Sequence, residues 1–170
     1  MNLSLEGRRA LVCGASQGIG LAAAQELASL GARITLLARN EESLKSALAT
    51  LPKVSSGSHD YAVADFSNSN NVSDLATDLV KTHEFDILIN NTGGPAGGPI
   101  SEANTDDFLA TFEQHLLCNH KLVQALLPGM KSRGHGRIVN VISTSVKAPL
   151  NNLGVSNTIR GAVANWAKTL

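Results

Sequence analysis

At 170 residues the chain has room for one domain and a sizeable core, and 43 % hydrophobic against 16 % charged residues is ordinary for a globular protein. Its 14 basic side chains balance 14 acidic ones, which excludes a net field that would recruit nucleic acid or an anionic membrane. No apolar run nears the roughly 20 residues that span a bilayer. Leu11, Val12 and Cys13 form too short an apolar stretch for a cleavable leader. Cys13 and Cys118 sit in apolar sequence without metal-ligand spacing, and are expected as small buried hydrophobes in a reducing compartment, by default the cytoplasm.

The pattern alternates strand and helix from the start. Residues 9–13 form a short apolar run ending at Gly14, followed by a helical pattern over 18–30 that Gly31 stops. A near-continuous apolar strand spans 32–38, a second helix 41–51 is closed by Pro52, and a third strand spans 61–64. A third helix is expected over 72–81, a fourth strand over 85–90, one long helix over 105–133, a fifth strand over 138–143 and a last helix from 155 to 170. No repeat or interdomain linker interrupts the series. Near-continuous apolar strands alternating with helices predict a single dinucleotide-binding domain over 1–170, an α/β Rossmann-type, doubly wound parallel sheet with helices on both faces. Ligands bind such sheets at the carboxyl ends of the strands, near the point where strand order reverses.

That place is occupied here by Gly14-Ala15-Ser16-Gln17-Gly18-Ile19-Gly20, directly after a strand and opening a helix. In this context Gly14 makes the tight turn, Gly18 lets the backbone approach a pyrophosphate, and Gly20 permits close packing. The helix start then offers unpaired N–H groups and partial positive charge to phosphates. At the end of the second strand stand Ala38 and Arg39, with no acid before Glu41. An acid there accepts bonds from the free ribose hydroxyl of NAD, whereas arginine pairs with the 2′-phosphate, so the pattern points to NADP, NAD being the poorer fit. Arg39 as a merely solvated loop residue is the other reading.

The glycine spacing resembles that of the short-chain dehydrogenase/reductase family, and the resemblance runs the whole length of the chain. It implies that Asp65, after the third strand, contacts the adenine amino group. Asn90-Asn91-Thr92-Gly93 resembles the family's Asn-Asn-Ala-Gly segment, which stabilises the sheet beside the cofactor. Residues 136–143 resemble the fifth strand with the catalytic serine, Ser143, at its end. The resemblance thus implies cofactor contacts from Gly14, Ser16, Gln17, Gly18, Ile19, Gly20, Arg39, Asp65, Asn91, Thr92, Gly93 and Arg160.

Family members carry an Asn, Ser, Tyr, Lys tetrad, and this chain departs from it. Its one tyrosine, Tyr61, lies on the third strand. Alignment puts Ser156 where tyrosine belongs, Arg160 where lysine belongs and His115 where the asparagine belongs; Ser143 alone keeps its identity. Arg160 can hold ribose hydroxyls and stays charged. Ser156 has an aliphatic hydroxyl, a far poorer proton donor than a phenol. His115 either supplies the proton or packs as a hydrogen-bonded histidine beside Leu116 and Leu117. Lys147 is a second possible donor or a solvated lysine, and Asn157 orients a polar group or caps a helix. The segments 91–95, 143–147 and 156–160 together resemble a divergent branch labelled 3-oxoacyl-carrier-protein-reductase-like.

The family continues through further strands and a substrate-covering loop, so the chain is expected to lack the last strands of the fold, leaving the fifth strand as an apolar edge. It is read as a truncated or partial chain. Two functions follow: an NADP-dependent oxidoreductase acting on a carbonyl or secondary alcohol, including 3-oxoacyl thioesters, or a catalytically impaired NADP(H)-binding protein acting as sensor or partner subunit. No metal is expected, since His59, His83, His115, His120 and His135 show no paired ligand spacing. A homo-oligomer through the two long helices, using Leu109, Phe112, Leu116, Leu122, Val123 and Trp166, completes the expectations.

Overall fold

The computed structural model describes residues 3–55 and 57–170; Met1, Asn2 and Ser56 lie outside them. Five parallel strands form one sheet: β1 (Arg9–Cys13), β2 (Arg33–Ala38), β3 (Asp60–Val63), β4 (Ile87–Asn90) and β5 (Arg137–Asn140), in the order β3-β2-β1-β4-β5. The helices are α1 (Gly18–Ser29), α2 (Glu41–Leu48), α3 (Ser69–Thr82), α4 (Thr105–Phe112), α5 (Cys118–Ser132) and α6 (Gly154–Ala167). This is the expected Rossmann-type arrangement, and strand order reverses between β1 and β4.

Alternation along β1 feeds two cores, as a strand buried on both faces must. Leu11 and Cys13 pack with Leu37, Leu88, Val72 and Leu122 on the face covered by α3 and α5. Ala10 and Val12 pack with Ile34, Leu36, Ala24 and Leu44 on the face covered by α1 and α2. Both cysteines are free and buried; the Cys118 thiol, pushed up to about 12 by burial, donates to the Phe66 carbonyl at 3.2 Å. β5 lies at the sheet edge with Val139 49 % exposed.

Several boundaries differ from the sequence pattern. α3 starts three residues early because the Asn68 side chain accepts from the N–H groups of Asn70 and Asn71. α2 ends at Leu48, where Thr50 turns back to donate to Ala47 at 3.0 Å, instead of running to residue 51. The single helix expected over 105–133 is three pieces, α4 and α5 being joined by a π-helical segment, Glu113–Leu117. A π-turn squeezes an extra residue into one turn and rarely persists without outside contacts. Here three consecutive side chains supply them. Glu113 Oε1 accepts from the Ser69 N–H at 2.8 Å, Gln114 donates to the Gly93 carbonyl at 3.1 Å, and His115 Nδ1 lies 2.7 Å from Thr92 Oγ1. Leu122 and Val123, expected on an oligomer face, are buried in this chain's own core, whereas Leu109 and Phe112 are exposed. Among the described residues, no helix is long and apolar enough to cross a membrane.

Candidate cofactor and active site

The glycine loop leaves β1 at Gly14, whose φ of +58° lies in the left-handed region that side chains disfavour. A Cβ on Gly20 would come within 2.2 Å of the Gly14 carbonyl oxygen, so the loop and the first turn of α1 touch backbone to backbone. Close packing by Gly20 is therefore against the loop itself. The Asn91 amide donates to the carbonyls of Cys13 and Gly14, both at 3.3 Å, pinning the loop to the end of β4. Gly18 differs: its φ is +57° and a Cβ there would meet nothing within 4 Å. Space lies open above it.

That space is a cleft of about 590 Å³ at the carboxyl ends of the strands. Gly14, Ser16, Gln17, Gly18 and Ile19 line its floor; Arg39 and Asp65 line one end, and Asn91, Thr92, Gly93 and Gln114 the other. Gln17, at the start of α1, has extended backbone and no side-chain cap, and no acid stands in the first helical turn. The first N–H groups of α1 are thus free to meet an anion. Ile19 is 66 % exposed in this cleft, an apolar surface with nothing of its own to cover it.

At the far end of β2, Arg39 lies between the cleft and a second concavity lined by Asn40, Val63, Asp65, Asn71 and Asp74. The Asp65 carboxyl is held below its ordinary value by the Ser67 N–H, which donates to it at 2.9 Å, and in smaller part by Arg39. Glu41, the first acid after β2, accepts from the Tyr61 hydroxyl at 2.9 Å and pairs with Lys45 at 3.3 Å. Those contacts, with Tyr61 first and Lys45 second, hold its carboxyl below the ordinary value.

Behind the cleft, Asn90 donates to Asn140 Oδ1 at 2.8 Å, tying β4 to β5. A small buried pocket there gathers Asn90, Thr92, His115, Asn119, Val141 and Arg160. His115 is 4 % exposed, and burial, with the nearby charge of Arg160, pulls its pKa down to about 4 against an opposing pull from the Gly93 backbone. The ring is neutral at pH 7. Arg160 donates to the Val141 carbonyl at 2.9 Å and its other amine lies near Gly94; burial lowers its pKa. Ser143 accepts from the Ser145 N–H at 3.1 Å, which leaves its own O–H to donate. Ser156 is 9 % exposed in the first turn of α6, while Lys147 is exposed. Asn157, one residue on, donates to the Leu150 carbonyl at 2.8 Å and so ties the loop before α6.

With this geometry in hand, the short chain dehydrogenase family matches residues 8–170. The chain belongs to that family. It is 34 % identical over 166 residues to gluconate 5-dehydrogenase of Gluconobacter oxydans, covering 97 % of this chain and 64 % of that enzyme. It is 31 % identical over 166 residues to human inactive hydroxysteroid dehydrogenase-like protein 1, covering 96 % of this chain and 50 % of the human protein. Against the crystal structure of 3-oxoacyl (acyl-carrier-protein) reductase from Agrobacterium tumefaciens, with NADP bound, the TM-score is 0.90 at 26 % identity, covering 99 % of this chain and 65 % of the other. The chain thus spans half to two thirds of the length of the relatives it matches.

Within the short chain dehydrogenase fold, every expected cofactor residue except Gly20 and Arg160 lines the cleft; Gly20 shapes it from below and Arg160 faces the pocket behind. The four residues expected at the tetrad positions divide: His115 and Arg160 share that pocket, Ser143 caps a short turn after β5, and Ser156 opens α6. Sequence reasoning missed Gln114, Gly94 and Asn119. Gln114 reaches the cleft because the π-turn rotates it there, and no periodicity signals that; Gly94 and Asn119 adjoin residues already singled out, and adjacency was the available signal.

Proposed function

We propose that this chain is the cofactor-binding part of an NADP-dependent oxidoreductase that interconverts a carbonyl and a secondary alcohol, with 3-oxoacyl thioesters as one substrate class to test. The observation that carries the reading is the open cleft over Gly18, set between the uncapped start of α1 and Arg39. Its residues fit a dinucleotide phosphate: backbone N–H groups for the pyrophosphate, Arg39 for the 2′-phosphate and Asp65 for the adenine amine. The bound cofactor supplies the hydride. Ser143 offers its O–H to the substrate oxygen, and Arg160, anchored on the Val141 carbonyl behind the cleft, would reach the ribose hydroxyls through its second amine, which lies near Gly94 of the cleft lining. Arg160 does so in place of lysine, and Ser156 stands in place of tyrosine.

A second reading has its own observation. Ser156 is no phenol and His115 is held neutral in a buried pocket, so neither is an efficient proton donor at pH 7. On that reading the chain binds NADP(H) as a sensor or partner subunit, and the human relative is itself named inactive. Exposed Leu109 and Phe112, with half-buried Leu116 and Trp166, support self-association in either case. The cytoplasm remains the proposed location. Oxidation of NADPH with a panel of ketones and 3-oxoacyl thioesters tests the first reading: turnover establishes the oxidoreductase, while binding without turnover favours a sensor or an incomplete enzyme, which a version carrying the further carboxyl-terminal elements of the relatives tells apart.

A further inference from the structure

Thr92 stands between two spaces. It lines the cofactor cleft beside Gly93 and Gln114, and it lines the buried pocket behind, with His115 and Arg160. Its Oγ1 lies 2.7 Å from His115 Nδ1. The other ring nitrogen of His115, Nε2, is buried and meets no hydrogen-bond partner among the described residues. A neutral imidazole carries one N–H. Burying an N–H without an acceptor is costlier and rarer than burying a lone pair without a donor. The ring proton therefore belongs on Nδ1, which donates to Thr92 Oγ1. The Thr92 hydroxyl proton is then left for the cleft.

We propose that His115 is a positioning residue: it fixes Thr92 as a hydrogen-bond donor to the half of the dinucleotide that lies beyond the pyrophosphate. This rests on the reading of the cleft as an NADP(H) site. The side chain reaches Thr92 because the π-turn carries it inward, and that turn is itself held by Glu113 on the Ser69 N–H and by Gln114 on the Gly93 carbonyl. An ordinary α-helical turn has no such reason to break its ladder. His115 thus acts through Thr92 and needs no change of protonation to do so.

A double-mutant cycle on NADPH affinity, read by fluorescence titration, tests the coupling. His115→Leu and Thr92→Val should each weaken NADPH about tenfold, the loss of one buried, oriented hydrogen bond. Together they should weaken it about tenfold again only once, not a hundredfold, because both remove the same contact. His115→Asn, whose amide can occupy the place of Nδ1, should restore affinity to within about threefold of wild type. Multiplying losses, or failure of Asn to rescue, would overturn the proposal. Should His115→Leu fail to fold, the imidazole 15N shifts of the unaltered chain decide: a proton on Nδ1 supports the proposal and a proton on Nε2 overturns it. A folded wild-type chain that binds no NADPH contradicts the reading of the cleft itself, a different result from bound NADPH with uncoupled variants.

Discussion

The Tyr61 hydroxyl donates to Glu41 Oε1 at 2.9 Å, so the first acid after β2 is already engaged, while Arg39 makes no hydrogen bond or ion pair among the described residues. The two side chains stand two positions apart at the carboxyl end of β2, where the proposed site would take the adenosine ribose. Glu41 is engaged by Tyr61, while Arg39, among the described residues, faces only the charge of Asp65 across the cleft end and has its donors open to an anion.

Arg39→Ala is accordingly expected to weaken NADPH roughly 10- to 100-fold, the range for a charge-assisted contact to phosphate, and to leave NADH within about threefold. Paired titrations with the two nucleotides measure both. Equal losses for NADPH and NADH would mean that Arg39 supports the loop and does not read the 2′-phosphate.

Gly20 and Gly18 should behave differently, although both belong to one loop. A methyl on Gly20 meets the Gly14 carbonyl oxygen at 2.2 Å, backbone against backbone, so Gly20→Ala should cost about 3 kcal/mol of stability. A methyl on Gly18 meets nothing and carries only the strain of positive φ, about 1 kcal/mol. Urea unfolding of the two variants gives these values, and Gly18→Ala should still lose NADPH because the methyl enters the cleft.

The folded His115 ring binds its proton more weakly than the unfolded one, with a pKa near about 4 in place of 6.5. Between those values the unfolded chain holds more protons, so stability falls as pH drops from 6.5 towards 4. The loss from this one residue between pH 7 and 5 is at most about 2 kcal/mol, and His115→Asn should remove it. Asp65, whose carboxyl is held low chiefly by the Ser67 N–H, and Glu113, whose carboxyl is held low by the Ser69 side chain and then by the Ser69 N–H, lose their contribution only at more acidic pH, below the ordinary carboxylate value. Unfolding of both proteins at pH 7 and pH 5 checks the difference; an equal pH dependence contradicts the buried neutral ring.

Much of this was legible in the residues. The near-continuous apolar runs at residues 9–13 and 32–38 are typical of strands buried on both faces, and glycine at 14, 18 and 20 between strand and helix marks the ligand loop. The π-turn was not legible, since Glu113, Gln114 and His115 fit one helical period and the contacts that break it come from Ser69, Gly93 and Thr92, distant in sequence. Nor was the fate of Leu122 and Val123, because an apolar helical face looks the same whether it meets its own sheet or a second copy. Burial of His115 followed from the same turn, so its neutral state could not be read from its neighbours Leu116 and Leu117.

Ser143→Ala separates chemistry from binding. If the Ser143 O–H holds the substrate oxygen, turnover should fall by about 100-fold or more while NADPH affinity stays within about twofold. An unchanged rate in a chain that turns over would remove Ser143 from the mechanism.

The central claim is that the cleft over Gly18 holds NADP(H), and a calorimetric titration of the purified chain with NADPH and NADH tests it most directly. The account predicts one NADPH site per chain, with NADH bound at least about tenfold more weakly for want of the phosphate that Arg39 meets. A folded chain that takes up neither nucleotide, or that prefers NADH, would contradict it.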